Sequence, residues 1–181
     1  KPGAKDLVIT DGVLRFEGVD FAYPAVAADE RTLTGIELEA RPGKTIGIVG
    51  PPGSGKSTIA HLMGRYYDVG AGRITIDGQD IRDVTLASLR RAVCIVQQEP
   101  FLFTASIEHN VAYGDPWAGR ASIEHSAATA QLHSYISGLP TGYGALVGER
   151  GVSLSGGQKQ RLSIARTILL DSAVLVFDDS T

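Results

Sequence analysis

The sequence predicts an α/β fold: a mixed sheet core, an antiparallel β-subdomain and an inserted α-helical subdomain. Three observations carry this. Residues 45–63 read as a strand, a glycine-rich turn and a helix in immediate succession. Runs at 13–24 and 73–78 alternate apolar and polar residues, as half-buried antiparallel strands do, with a further strand at 33–40. Continuous apolar runs at 93–96 and 173–177 suit a sheet covered on both faces.

The bulk numbers fit one globular domain, or one domain with a small lobe. The chain has 181 residues, 43% of them hydrophobic and 20% charged. A net charge of −3 without a basic stripe gives no argument for nucleic acid. The one cysteine, Cys94, lies in an apolar run and reads as a buried small hydrophobe. A lone cysteine excludes an internal disulfide framework and suits a reducing, cytosolic setting. No apolar run approaches the roughly 20 residues that span a bilayer, and the first residues lack the apolar stretch of a signal peptide.

Residues 1–12 read as a linker and 13–181 as the domain. The first strand ends at Tyr23-Pro24. A ring there could stack on a purine, although position alone favours a strand-end aromatic that covers core. After the strand at 33–40, Arg41 to Lys44 turn the chain into the apolar run 45–49. The helix from Ser57 to about Tyr66 carries Ile59, Leu62 and Met63 on one face. A short helix at 86–90 precedes the apolar strand 93–96. Helices follow at 106–113 and 122–137, with Ser106 and Ser122 as N-caps and Ile123, Ala127, Ala130 and Ile136 at helical spacing. They belong to a helical subdomain over about 100–165. The last helix starts at Ser155 and buries Ile164, Ala165, Ile168 and Leu169; a buried strand at 173–177 follows it.

Four stretches carry chemistry. Gly50-Pro51-Pro52-Gly53-Ser54-Gly55-Lys56-Ser57-Thr58 matches G-x-x-x-x-G-K-[ST] at every fixed position, in the strand–turn–helix context that the motif requires. Its glycines let backbone N–H groups turn toward phosphate oxygens, and the helix beginning near Lys56 adds the positive end of its dipole. Lys56 would bridge the β- and γ-phosphates, and the Ser57 hydroxyl would ligate Mg²⁺. Thr58 extends the helix start and is placed to touch the α-phosphate. Gln97-Gln98 follows a strand end, where open α/β sheets bind ligands. An amide there can ligate Mg²⁺ and orient water, but the residues alone do not choose between the two glutamines. Ser155-Gly156-Gly157-Gln158 caps a helix whose first turn is left bare, at a cost of about 1 kcal/mol per glycine. An anion at that N-terminus would account for the cost, and a plain capped helix is the alternative. Asp178, at the end of the last strand, can hold Mg²⁺. Its neighbour Asp179 stands where a base or water-positioning group would sit.

With these residues in hand, the chain resembles the ATP-binding domain of ABC transporters of the exporter type, a P-loop NTPase fold. The resemblance covers nearly the whole sequence. It rests on Tyr23-Pro24, the Gly50–Thr58 loop, Val96-Gln97-Gln98-Glu99, Gly148-Glu149-Arg150-Gly151, Leu154-Ser155-Gly156-Gly157-Gln158 and Val174–Asp179, in that order. It implies that Tyr23 stacks on adenine and that residues 50–58 bind the phosphates and Mg²⁺. It implies that Gln98 senses the γ-phosphate and metal. Ser155, Gly156, Gly157 and Gln158 would then face ATP held on a second domain. Two such domains would sandwich two ATPs head to tail on the cytoplasmic face of the membrane. Gly148 to Gly151 would meet the transmembrane domains.

Two departures bear on activity. Asp179 stands where the family usually has Glu, a carboxylate shorter by one methylene. This implies a slow or degenerate site, within a heterodimer in preference to a homodimer. The family's turn and histidine beyond the last strand are absent. None of His61, His109, His125 and His133 follows Asp178. Nucleotide binding is therefore expected to survive better than hydrolysis. A nucleotide-dependent dimerisation module without turnover and a non-transporter ABC ATPase are the alternatives. The Gly-Glu-Arg-Gly run and the lack of basic patches oppose the second.

Overall fold

The computed structural model describes residues 3–24, 32–148 and 152–178. The chain forms two compact units. One runs up to Ile95 and resumes at Ala173; the other is Val96–Ser172.

The first unit contains β1 (Leu14–Phe21), β2 (Leu33–Ala40), α1 (Lys56–Met63), β3 (Ala71–Ile76), β4 (Gln79–Asp80), α2 (Leu86–Ala92), β5 (Val93–Val96, across the boundary) and β6 (Val174–Phe177). β2, β1, β3 and β4 make an antiparallel sheet in that order. Leu14 stands opposite Ala40 on one side and Ile76 on the other. The period of two sends Leu14 and Phe16 inward, and an irregularity at Gly18 resets it so that Val19 and Phe21 also face in. These side chains pack with Ile74, Ile76, Ile59, Leu62 and Met63. Burying each large one contributes about 1.5–3 kcal/mol. Cys94 is buried, as its apolar run predicts.

The stretch before β1 is tied to this unit. Thr85 N–H donates to Lys5 O at 2.9 Å. Leu7 N–H donates to Ser88 Oγ at 2.8 Å. The Asp77 carboxylate accepts four backbone N–H groups, from Thr10, Asp11, Gly12 and Val13, at 2.8–3.1 Å. Burial alone would raise the Asp77 pKa; the four donors outweigh it and hold the group down at about 2.

The predicted strand at 45–49 is not paired. Among the described residues these carry no ladder and are all exposed, Val49 to 93%. The predicted burial of the last strand holds on one face alone. Among the described residues β6 pairs only with β5; Val174 and Val176 are half-buried against the core, and Leu175 and Phe177 are exposed. An apolar run gains burial only where a neighbouring strand and a covering layer exist. Residues 45–49 have neither among the described residues, and the face of β6 that carries Leu175 and Phe177 has no covering layer among them.

The second unit is helical: α3 (Ile107–Val111), α4 (Arg120–Thr129), α5 (His133–Ser137) and α6 (Gly156–Leu169). Its core joins Ile107, Val111, Ile123, Ala127, Leu132, Ile136, Tyr143, Leu162 and Ala165. Ser106 caps α3 as predicted, accepting from His109 N–H at 3.1 Å. Ser122 does not cap α4; the helix starts earlier, with Gly119 at the cap. The predicted helix 122–137 is broken by Gln131 in the left-handed region at φ 57°. In α6 the fully buried residues are Leu162 and Ala165, while Ile164, Ile168 and Leu169 are half-buried against the same core. Arg166 holds the unit's N-terminal part, donating to Asn110 O at 2.8 Å, Asn110 Oδ1 at 3.1 Å and Phe101 O at 3.1 Å.

Candidate active site

The phosphate loop and the start of α1 form the site's floor. Gly55 is the N-cap of α1, at φ 91° and with no side-chain cap. The first N–H groups of α1 therefore face outward without the usual side-chain acceptor. A Cβ on Gly55 would stand 2.7 Å from Leu33 Cδ2 and 3.3 Å from Thr32 O, so both the dihedral and the space require glycine. Within the loop, Ser54 N–H donates to Pro51 O at 3.2 Å and closes a tight turn. Lys56 folds back over this turn, its Nζ donating to Gly50 O and Pro51 O at 2.9 Å each. The ammonium is thus held at the loop's mouth by neutral acceptors, which a phosphate oxygen can displace at small cost.

One turn along, Ser57 Oγ donates to Asp178 Oδ1 at 3.0 Å. The sequence separates these residues by more than a hundred positions; β6 ends where α1 begins. They offer one neutral and one anionic oxygen, both hard donors. Among the described residues no group of three or more His, Cys, Asp or Glu could hold a metal. A cation here would take its remaining ligands from phosphate and water, which is the habit of Mg²⁺. The donor set therefore fits that ion.

Tyr23 lies beside the same helix. Its hydroxyl is 3.1 Å from Thr58 Oγ1. Its ring meets Phe21 and Tyr67 edge-on, with centroids 4.9 and 5.1 Å away. Tyr67 is a contact that the sequence reading missed. The paired Tyr66-Tyr67 just past α1 was the available signal, and it read only as a helix end.

The other predicted site residues lie in the second unit. Gln97 and Gln98 are both exposed in the turn after β5. Ser155 caps α6 in a capping box: its Oγ accepts from Gln158 N–H at 3.3 Å, and Gln158 Oε1 accepts from Ser155 N–H at 2.8 Å. The Gln158 side chain is thereby engaged in the helix start. Gly156 and Gly157 are exposed, and a Cβ on either would meet nothing within 4 Å. Asp179 and residues 149–151 lie outside the described residues.

Comparison with known proteins decides the family. The profile described as "ABC transporter" matches residues 33–181. The chain belongs to the ABC transporter family. It is 46% identical, over its whole length, to the "Heavy metal tolerance protein" of Schizosaccharomyces pombe, of which it spans 21%. It is 46% identical over 99% of its length to the "ATM1-type heavy metal exporter" of Novosphingobium aromaticivorans, spanning 29% of that protein. Its fold superimposes on the solved structure titled "Structure of a bacterial Atm1-family ABC exporter with ATP bound" with a TM-score of 0.91. That match has 46% identity and covers 98% of this chain and 31% of the other. The chain thus spans under a third of the relatives it matches. The P-loop NTPase fold and the ABC-type ATPase family predicted from the sequence both hold. No helix among the described residues is long and apolar enough to cross a membrane.

Proposed function

We propose that this ABC domain binds Mg–ATP at residues 50–58 and uses its hydrolysis to power export through transmembrane domains. The observation that carries the proposal is the convergence of Lys56, Ser57 and Asp178 at the uncapped start of α1. Lys56 would exchange its two carbonyl acceptors for β- and γ-phosphate oxygens. Backbone N–H groups of residues 53–58 would hold the remaining phosphate charge. Mg²⁺ held by Ser57 and Asp178 would neutralise charge on the β- and γ-oxygens. Tyr23 would stack on the adenine. Gln98 would sense the γ-phosphate and metal, and Asp179 would orient the attacking water.

Two further partners follow. Among the described residues nothing lies within 4 Å of where a Cβ on Gly156 or Gly157 would stand, which supports contact with ATP on a second such domain. An exposed aromatic surface on the second unit supports contact with transmembrane domains on the cytoplasmic side. There Phe103 stacks on Tyr113 with centroids 4.2 Å apart, and the exposed Phe101 packs against Phe103 with centroids 5.0 Å apart. The exporter relatives support the same assignment.

Asp179 makes this site slow. Moving a water-orienting carboxylate by about 1 Å costs on the order of a hundredfold in rate. The intact Ser155–Gln158 run can still complete a fast site on a partner, which favours an asymmetric pair. Single-turnover hydrolysis in the assembled transporter, compared between wild type and Asp179→Glu, tests this. The added methylene is expected to raise the rate by tenfold or more. An unchanged rate rules out the degenerate-site reading and leaves the rest standing.

A further inference from the structure

The bond between Tyr23 and Thr58 points to a coupling of base and phosphate sites within one domain. We propose that Thr58 is a positioning residue for the adenine platform, with Tyr67 as its second support. This rests on the proposed stacking of Tyr23 on the base.

Three contacts define the Tyr23 ring. Its hydroxyl meets Thr58 Oγ1 at 3.1 Å, and its ring packs near-perpendicular to those of Phe21 and Tyr67, at 81° and 89°. Edge-to-face packing fixes ring orientation more firmly than apolar contact alone, because the positive ring edge seeks the negative face. Phe21 is buried, so one support is rigid. Tyr67 is partly exposed and also touches Phe21, with centroids 5.6 Å apart. The three rings form a closed cluster against the helix that follows the phosphate loop.

Thr58 fixes the remaining freedom, rotation and slide along the ring's long axis. It is the third residue of α1, one past the proposed Mg²⁺ ligand Ser57, and is only 5% exposed. Its hydroxyl therefore points into the protein toward the tyrosine. A threonine is suited to this task because its branched Cβ leaves few rotamers. Any shift of α1 that follows phosphate binding would carry Thr58 Oγ1 with it and move the tyrosine. In the reverse direction, a base stacked on the ring would resist that shift. The affinity for the base and for the triphosphate should thus be linked through one hydrogen bond.

The intact protein, titrated with Mg–ATP and separately with Mg–inorganic triphosphate, tests this. The readout is the ratio of the two affinities, which discards general damage to the phosphate loop. Tyr23→Ala should lower the ratio about fivefold or more, the effect of losing a stacked base. Tyr23→Phe and Thr58→Val should each lower it about threefold to tenfold, the effect of one hydrogen bond. The double variant should be no worse than either, and Thr58→Ser should restore most of the ratio. Tyr67→Leu should also lower it. If Tyr23→Ala changes the ratio but Tyr23→Phe and Thr58→Val do not, the positioning role is overturned and the stacking stands. An unchanged ratio in Tyr23→Ala overturns both.

Discussion

Replacing Gly157 by alanine should stabilise the domain and disable it at once. Gly157 lies in the first turn of α6, in the ordinary helical region, and an added Cβ meets nothing within 4 Å. Alanine is favoured over glycine in a helix by about 1 kcal/mol, and somewhat less in a first turn. The variant should therefore gain about 0.5 kcal/mol in unfolding free energy, a rise of one or two degrees in Tm. If the bare turn exists to receive the γ-phosphate of ATP on a second domain, the same methyl would stand between backbone N–H and phosphate. ATP-dependent dimerisation and steady-state hydrolysis should fall at least tenfold. Denaturant unfolding measures the first effect, and light scattering with a trapped nucleotide measures the second. Undiminished dimerisation and turnover in Gly157→Ala would refute the reasoning, since the glycine would then serve no partner. A loss of stability would refute the other half, by revealing an internal need for glycine.

Ser155→Ala removes the Oγ that accepts from Gln158 N–H, one of the two capping-box bonds, and should cost about 1 kcal/mol of stability by denaturant titration. Asp77→Asn should flatten the acid limb of the stability curve. The native Asp77 pKa of about 2 lies below its ordinary 3.8, so its contribution is fully present above pH 4 and is lost as pH falls through 2. Allowing for solvent screening, that contribution is about 1 kcal/mol, read as the difference in unfolding free energy between pH 5 and pH 2. Arg166→Ala removes two hydrogen bonds to the buried Asn110 and one to Phe101 O and should cost about 2–3 kcal/mol, with helical signal lost from the second unit first.

The phosphate loop could be read from sequence because its chemistry constrains every position. Gly55 has no freedom in dihedral or space, and Lys56 and Ser57 must follow it directly. The antiparallel strands were legible for a similar reason: β1 buries alternate residues on either side of Gly18, and the period survives in the sequence, although in β3 Thr75 is buried along with Ile74 and Ile76. What failed depended on neighbours. The apolar run at 45–49 has strand composition, but a strand needs a partner, which composition does not report. The break at Gln131 was hidden because a glutamine carries no local sign of a left-handed dihedral. Tyr67 was missed because its role lies in a ring cluster formed by residues more than forty positions apart.

On the proposed function, Lys56 leaves Gly50 O and Pro51 O to grip the terminal phosphates of ATP. Equilibrium titration of Mg–ATP against the wild type and Lys56→Ala tests it most directly. Loss of a charge-assisted bond to phosphate predicts an affinity lower by about tenfold to a hundredfold, with the fold intact by circular dichroism. Equal affinity in the two proteins would contradict the account.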